Sequence, residues 1–449
     1  MSIGLDGDRV AAAPDRGLRG AVARALGDRT PIALCGRVVE ARGTLIRVAG
    51  IDARIGELCE FRLADGGLRR AEVTGLADDC ALLMPFGELE GLSLGARVVA
   101  LGHGHRVAVG DALLGRVLNG FGEPVDGNGP LNATAWMSVQ AGSPAPLSRA
   151  AVVKPFATGV RAIDALMTLG QGQRIGVFAP AGVGKSTLAG MLVRASEVDV
   201  CVVALVGERG REVGEFVNHT LGPQGMKRSV VVAATSDSSA SERVKAGFVA
   251  TTIAESFRDR GMRVLLVMDS VTRLARALRE VGLACGEPPT RRGFPPSVFA
   301  ALPRLLERAG NAQRGSITAL YTVLMEGQDD GDPIAEEVRS ILDGHIMLSR
   351  AIAQTPIYPA IDVLASLSRL MGAVTTPDHR AAALKLRSLL ARHREVELLI
   401  QVGEYRSGSD PLADEAIAKL PAIHEFLQQP ADLAQDFHAS LRRLLELAA

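Results

Sequence analysis

The sequence is poor in lysine, aromatics, paired cysteines and net charge. Six of its 50 basic residues are Lys, an arginine bias that reads as genome composition and serves as background. Lys+Arg and Asp+Glu are both 50, so the formal net charge is zero. A protein that coats nucleic acid needs a basic excess to replace counterions on phosphate, and this chain has none. Aromatics make up 4%, with one Trp, three Tyr and twelve Phe. No run of them suits base stacking. The five cysteines, Cys35, Cys59, Cys80, Cys201 and Cys285, form no CxxC and no even framework. They read as buried thiols in a reducing cytosol. No stretch approaches the ~18 apolar residues of a membrane span. The richest, Val198 to Val206, is strand-length and broken by Asp199. The opening MSIGLDGDRV has no basic region followed by an apolar core, so no signal peptide is expected.

The 449 residues exceed one ordinary core, with 47% hydrophobic residues and a mean hydropathy of +0.18. Four segments differ in pattern. Residues 1–24 read either as a short amphipathic helix, continued by Leu18, Val22 and Leu26, that docks on a membrane surface or partner, or as a frayed terminus. Residues 25–97 hold short β-rich runs (Cys35–Glu40, Leu45–Val48, Ala71–Leu76, Ala81–Met84) between Gly-Asp turns, as in a small β-barrel or sandwich. His103 and His105 lack a neighbouring third ligand and read as loop residues rather than a metal site. Residues 98–375 begin with a Gly/Pro/Asn-rich strand-and-turn stretch. They then alternate helical periods with apolar runs at Arg174–Phe178, Cys201–Val206, Ser229–Ala233, Arg263–Met268 and Ile317–Leu324. Uninterrupted apolar strands indicate a parallel sheet buried on both faces, an α/β core. Residues 376–449 read as amphipathic helices at 378–402, 411–428 and 432–448.

One segment of the core carries a phosphate-binding loop. Ala179-Pro180-Ala181-Gly182-Val183-Gly184-Lys185-Ser186-Thr187 follows a predicted strand and opens a helix. Its first position is Ala179 where the template has Gly. Gly182 and Gly184 let the backbone curl so that successive N–H groups point at phosphate, and the helix N-terminus adds partial positive charge. Lys185 supplies a compact ammonium to the β- and γ-phosphates, and Ser186 a hydroxyl for Mg²⁺. In a chain that nearly always chooses Arg, Lys stands where a guanidinium would not fit.

Two carboxylates complete the pattern. Arg263-Val-Leu-Leu-Val-Met-Asp269 places Asp269 at the tip of a central strand, where the Mg²⁺ partner belongs. Glu208, in Leu205-Val-Gly-Glu208-Arg209, follows another buried strand, in position to orient and deprotonate an attacking water. Arg211 and Glu212 read as a solvated charge pair.

With these motifs in place, the chain resembles the ATPases of type III protein secretion systems, within the family of F- and V-type rotary ATPase subunits. The likeness runs from about residue 25 to 440. It includes Gly115–Asp126, the phosphate loop, Gly207–Val213, Met268–Arg273, Gly286–Pro289, Gly293–Phe299, Leu302–Gly310, Tyr321–Gly327 and Val338–His345. The resemblance implies a RecA-like P-loop core with a parallel sheet, an N-terminal β-barrel and a C-terminal helical domain. It implies Mg²⁺-dependent ATP hydrolysis that powers protein export, including chaperone release and substrate unfolding. Lys185 and Ser186 match the phosphate and Mg²⁺ contacts, Glu208 the water-activating glutamate, Arg209 a γ-phosphate contact and Asp269 the Mg²⁺ aspartate. Tyr358 matches the aromatic that stacks on adenine, and Tyr405 a second adenine-pocket position. Arg369 matches the arginine finger that reaches a neighbour's site. The implied assembly is a homohexamer at the cytoplasmic face of the inner membrane. Its implied partners are a stator-like regulator at the N-terminus, a central stalk, an export gate and chaperone–effector complexes.

Three other functions share parts of this pattern. A flagellar export ATPase has the same chemistry, but Ala275–Leu283 and Glu337–Ile341 look more like the injectisome branch. A non-catalytic rotary subunit would lack Glu208. A hexameric RNA translocase would need a basic, aromatic N-terminal domain, and the first 150 residues hold four aromatics.

Overall fold

The structure is a computed structural model that describes residues 35–325, 331–355 and 357–449. The expected N-terminal segment 1–24 lies outside the described residues.

Six strands open the fold: β1 (Cys35–Arg42), β2 (Leu45–Ala49), β3 (Glu57–Arg62), β4 (Leu68–Ala77), β5 (Cys80–Pro85) and β6 (Arg97–Gly104). They close into a barrel in the order β1-β2-β5-β4-β3-β6, which decides between the barrel and sandwich readings. Alternating side chains point inward, and Val38, Ile46, Val48, Phe61, Val73, Leu83 and Val98 fill the interior. The β4–β5 hairpin turns through Asp78 and Asp79, both at positive φ (49° and 60°), a conformation that short polar side chains tolerate. Strand β6 runs to Gly104, past the expected boundary at residue 97. His103, read from the sequence as a loop residue, lies in this strand, whose last residue Gly104 pairs with Glu57.

A short hairpin of β7 (Arg106–Val109) and β9 (Ala135–Ser138) follows, with β8 (Val117–Leu118) between them. A small pair, β10 (Pro155–Phe156) with β11 (Leu169–Gly170), flanks the helix Arg161–Leu166. His105 is buried, its Nε2 3.0 Å from Phe121 O and its ring edge-on to Phe86.

The core is a nine-stranded sheet. Its strands are β12 (Arg174–Ala179), β13 (Val200–Glu208), β14 (Ser229–Thr235), β15 (Arg263–Asp269), β16 (Gly310–Asn311), β17 (Ser316–Leu324), β18 (Gly344–Leu348) and β19 (Ile361–Ser368), joined by β8. The order is β19-β18-β12-β17-β15-β13-β14-β8, parallel from β18 to β8, with β16 and β19 antiparallel. Every residue of β13 is buried, as its unbroken apolar run requires.

Three helices end the chain: Pro377–Gln401, Pro411–Leu427 and Phe437–Ala448. The side chains of Thr376, Asp410 and Asp436 cap their first turns. The last begins at Phe437, not 432, because Asp436 supplies the cap, its side chain accepting from Ala439 N. Leu386, Leu389, Ile423, Phe426 and Leu444 share one core with Leu188 and Leu192 of the helix Lys185–Ala195. Among the described residues no helix is long and apolar enough to cross a membrane.

Candidate active site

The site lies at the carboxyl ends of the parallel strands, where the chain switches from strand to helix. Strand β12 delivers Ala179, buried under the loop. Gly182 and Gly184 then take φ of +81° and +92°, and the helix Lys185–Ala195 begins. The positive φ angles wrap the loop backbone around the helix N-terminus. A Cβ on Gly184 would stand 2.1 Å from the Tyr358 hydroxyl oxygen, so the position has no room for a side chain. Pro180, Ala181, Gly182 and Ser186–Thr187 edge a cleft of about 690 Å³, while Val183 is buried beneath it.

Adjacent strands aim their last residues into that cleft. Asp269 ends β15 and lies in register with Leu205 of β13, and Glu208 ends β13. Thr322 of β17 donates to Asp269 Oδ1 at 2.8 Å. Lys185 Nζ is paired directly with Asp269 Oδ1, and stands 3.4 Å from Thr322 Oγ1 and 3.8 Å from Glu208 Oε1. One ammonium therefore bridges two buried carboxylates.

Glu208 is the unusual group. Its carboxyl is pushed up to about 7, chiefly by burial, then by the neighbouring Asp269 charge and by Glu212, while Lys185 and Arg273 pull the other way. Arg273 Nη2 lies 3.1 Å from Glu208 Oε2, and Arg273 Nη1 donates to Gly207 O. Glu208 Oε1 is buried with no hydrogen-bond partner. A buried carboxylate oxygen left without a donor fits a base awaiting a water or substrate proton.

Ser186 and Thr187 are exposed in the helix's first turn. Arg209 caps the helix Gly210–Glu215 through its backbone. Its side chain is 74% exposed, with Nη1 3.5 Å from Glu212 Oε1. Glu212, read from the sequence as solvated, lines the cleft.

The two tyrosines are held by different segments. The Tyr358 hydroxyl donates to Gly184 O at 3.3 Å, and Tyr358 O accepts from Gln429 N at 2.7 Å. Tyr405 instead donates to Asp414 Oδ1 at 2.9 Å. Asp414 is in the first turn of the helix Pro411–Leu427, and Gln429 lies just beyond its other end. Residues 415–427, the helical stretch between them, span about 20 Å. Tyr358 and Tyr405 are thus anchored at opposite ends of that helix.

Arg369 follows β19, antiparallel to β18. Its N–H donates to Asp343 O at 3.0 Å, and its side chain is exposed, without an ion pair among the described residues. Ser368 pairs with Gly344, and His345 lies level with Gly176, so Arg369 sits at the opposite end of the sheet from the phosphate loop. The strand rise places it about 16 Å below Ala179, out of reach of its own site.

Sequence reasoning missed Arg273 and Arg194, which line the cleft, and Thr322, which is buried behind Lys185 and Asp269. Arg273 stood inside the quoted Met268–Arg273 stretch, and its signal was its four-residue spacing from Asp269. Thr322 carried none.

This fold and site define a nucleotide-hydrolysing subunit of the rotary ATPase type. Residues 159–368 match the ATP synthase alpha/beta family nucleotide-binding domain, residues 38–102 its beta-barrel domain, and residues 375–446 the T3SS EscN ATPase C-terminal domain. The chain is 60% identical to the type 3 secretion system ATPase of Xanthomonas euvesicatoria, over 91% of this chain and 93% of that one. It is 50% identical to the flagellum-specific ATP synthase of Treponema pallidum, over 91% of each. Among solved structures it is similar to the assembled ATPase EscN of the enteropathogenic E. coli type III secretion system. The TM-score is 0.88 at 48% identity, covering 92% of this chain and 100% of that one. EscN has also been solved in complex with its central stalk EscO, and that structure matches with a TM-score of 0.86. The chain belongs to the type 3 secretion system ATPase family, and it is an ATPase of the protein-export class.

Proposed function

We propose that the chain hydrolyses Mg²⁺-ATP in a homohexameric ring at the cytoplasmic face of the inner membrane and so powers injectisome protein export, with chaperone release and unfolding of substrates. The observation that carries the chemistry is Glu208, buried, raised in pKa and with an unpartnered oxygen at the strand tip beside Lys185. Glu208 takes a proton from the attacking water. Lys185 leaves its carboxylate partners for the β- and γ-phosphates, the loop N–H groups hold the phosphates, and Arg209 and Arg273 lie on the γ-phosphate side. Ser186 and Asp269 would hold Mg²⁺, which neutralises phosphate charge when bound. The exposed Ser186 hydroxyl and the strand-tip carboxylate form a hard-oxygen donor set that suits this ion.

Tyr358, pressed on the phosphate loop, is the adenine-stacking residue. Arg369 acts in trans, since its end of the sheet faces away from its own site. The assembled EscN structures support the ring and a central-stalk partner for this chain. A stator-like regulator, an export gate and chaperone–effector complexes are the further partners. The injectisome reading rests on the 60% identity to a type 3 secretion system ATPase against 50% for the flagellar relative. The test is Glu208→Gln in the full chain. ATP binding should persist while turnover falls at least about a hundredfold. Normal turnover would remove Glu208 as the base.

A further inference from the structure

The segment Gln428–Gln435, between the last two helices, lies against the nucleotide-binding core. Gln429 is 1% exposed and its side chain is fully engaged. Its Nε2 donates to Gly159 O at 2.7 Å and to Leu433 O at 2.6 Å, and its Oε1 accepts from Arg161 N at 2.9 Å. Its own backbone N–H is the donor that holds Tyr358 O at 2.7 Å. The anchor it grips is rigid. Asp164, buried, accepts from Thr158 N, Thr158 Oγ1 and Gly159 N, which fixes the turn that carries Gly159. That turn is packed closely on the phosphate-loop helix: a Cβ on Gly159 would stand 2.4 Å from Ala195 Cβ. A second hook lies two residues on, where Arg194 Nη2, from the same helix, donates to Ala431 O at 2.7 Å.

These bonds form one chain of contacts. It runs from the C-terminal helical domain through Gln429 to Tyr358, and from the Tyr358 hydroxyl to Gly184 O in the phosphate loop. We infer that Gln429 is a positioning residue for the base side of the nucleotide site: its buried amide fixes the backbone that sets the height of Tyr358 over the phosphate loop. The physical reason is satisfaction. A buried amide with both donors and its acceptor engaged admits one placement, and removing it leaves Leu433 O and Arg161 N without partners and Gly159 O with Gln435 N alone, at 3.0 Å. The inference rests on the reading of Tyr358 as the adenine-stacking residue.

The experiment uses the full-length protein and two probes, Mg·ADP, which carries the base, and Mg·tripolyphosphate, which does not. Gln429→Ala and Gln429→Glu are compared with Tyr358→Ala, with dissociation constants taken by calorimetry and by competition. In both Gln429 variants the Kd for Mg·ADP should rise about tenfold while that for Mg·tripolyphosphate stays within about twofold. The ATP KM should rise with kcat nearly unchanged. The double variant Tyr358→Ala/Gln429→Ala should bind Mg·ADP no more weakly than Tyr358→Ala alone. Equal loss of both probes would reduce Gln429 to a packing residue and overturn the inference. Unchanged Mg·ADP binding in the Gln429 variants, with weakened binding in Tyr358→Ala, would overturn it and leave the base pocket standing. Unchanged binding in Tyr358→Ala would overturn the base pocket reading itself.

Discussion

Glu208 and Arg273 stand 3.1 Å apart, Oε2 to Nη2, the carboxylate at the tip of β13 and the guanidinium on the helix that follows β15, its neighbour in the sheet. Burial and Asp269 raise the carboxyl, and Arg273 opposes them. The acid limb of kcat/KM should therefore fall as pH drops through about 7, where Glu208 takes up a proton. Arg273→Gln removes an opposing cation, so this limb should move to higher pH by about one unit. A pH–rate profile of both proteins checks it. A limb that stays in place, or moves to lower pH, contradicts the assignment.

Gly184 has φ of +92°, and its missing Cβ is the space that the Tyr358 hydroxyl occupies. Gly184→Ala should weaken nucleotide binding at least about tenfold through strain at the loop. The far-UV spectrum should be unaltered. Titration with a fluorescent ADP analogue reads the outcome, and wild-type affinity would show that the loop tolerates the side chain.

Arg369 and Lys185 lie at opposite ends of one sheet, so complementation between subunits can separate them. Arg369→Ala should lower kcat of the assembled ring by about 10³ with ATP affinity retained. Lys185→Ala alone should be inactive. Rings mixed from the two variants should regain activity, because some interfaces pair an intact Lys185 with an intact Arg369. Mixed rings as inactive as either parent would remove the finger in trans.

Arg308 and Glu255 form an ion pair with both side chains almost wholly enclosed. Arg308 also donates to Thr252 Oγ1 at 2.8 Å and Val139 O at 3.0 Å. Arg308→Met should destabilise the core by about 3–5 kcal/mol, because Glu255 is left buried and unpaired. Adding Glu255→Leu should recover much of that loss. Urea unfolding midpoints of the three variants measure it, and additive losses would argue against a coupled pair.

The local signals were legible because they depend on neighbours in the chain. The phosphate loop needs glycines at fixed spacing before a helix, and the strand-end carboxylates need an apolar run that stops in an acid. Asp410 and Asp436 cap their helices by the same local means, through short side chains that reach the next turn. The partners of the tyrosines were not legible in this way: the Tyr405 hydroxyl is held by Asp414, and the Tyr358 hydroxyl by Gly184, 174 positions away. Tyr321, the third tyrosine, is core on β17.

By itself the sequence determined the class of chemistry: a lysine in a glycine-rich loop, with Asp269 and Glu208 at the ends of buried strands. It also determined the order of barrel, sheet and helices, since hydrophobic period and turn residues act within a few positions. Only the tertiary structure decided which distant groups meet. It closed the barrel, brought Arg273 onto Glu208, set Gln429 behind Tyr358, and put Arg369 at the end of the sheet opposite the phosphate loop. Those outcomes depend on strand order and helix packing, which join residues up to 270 positions apart, and no local pattern encodes such distances.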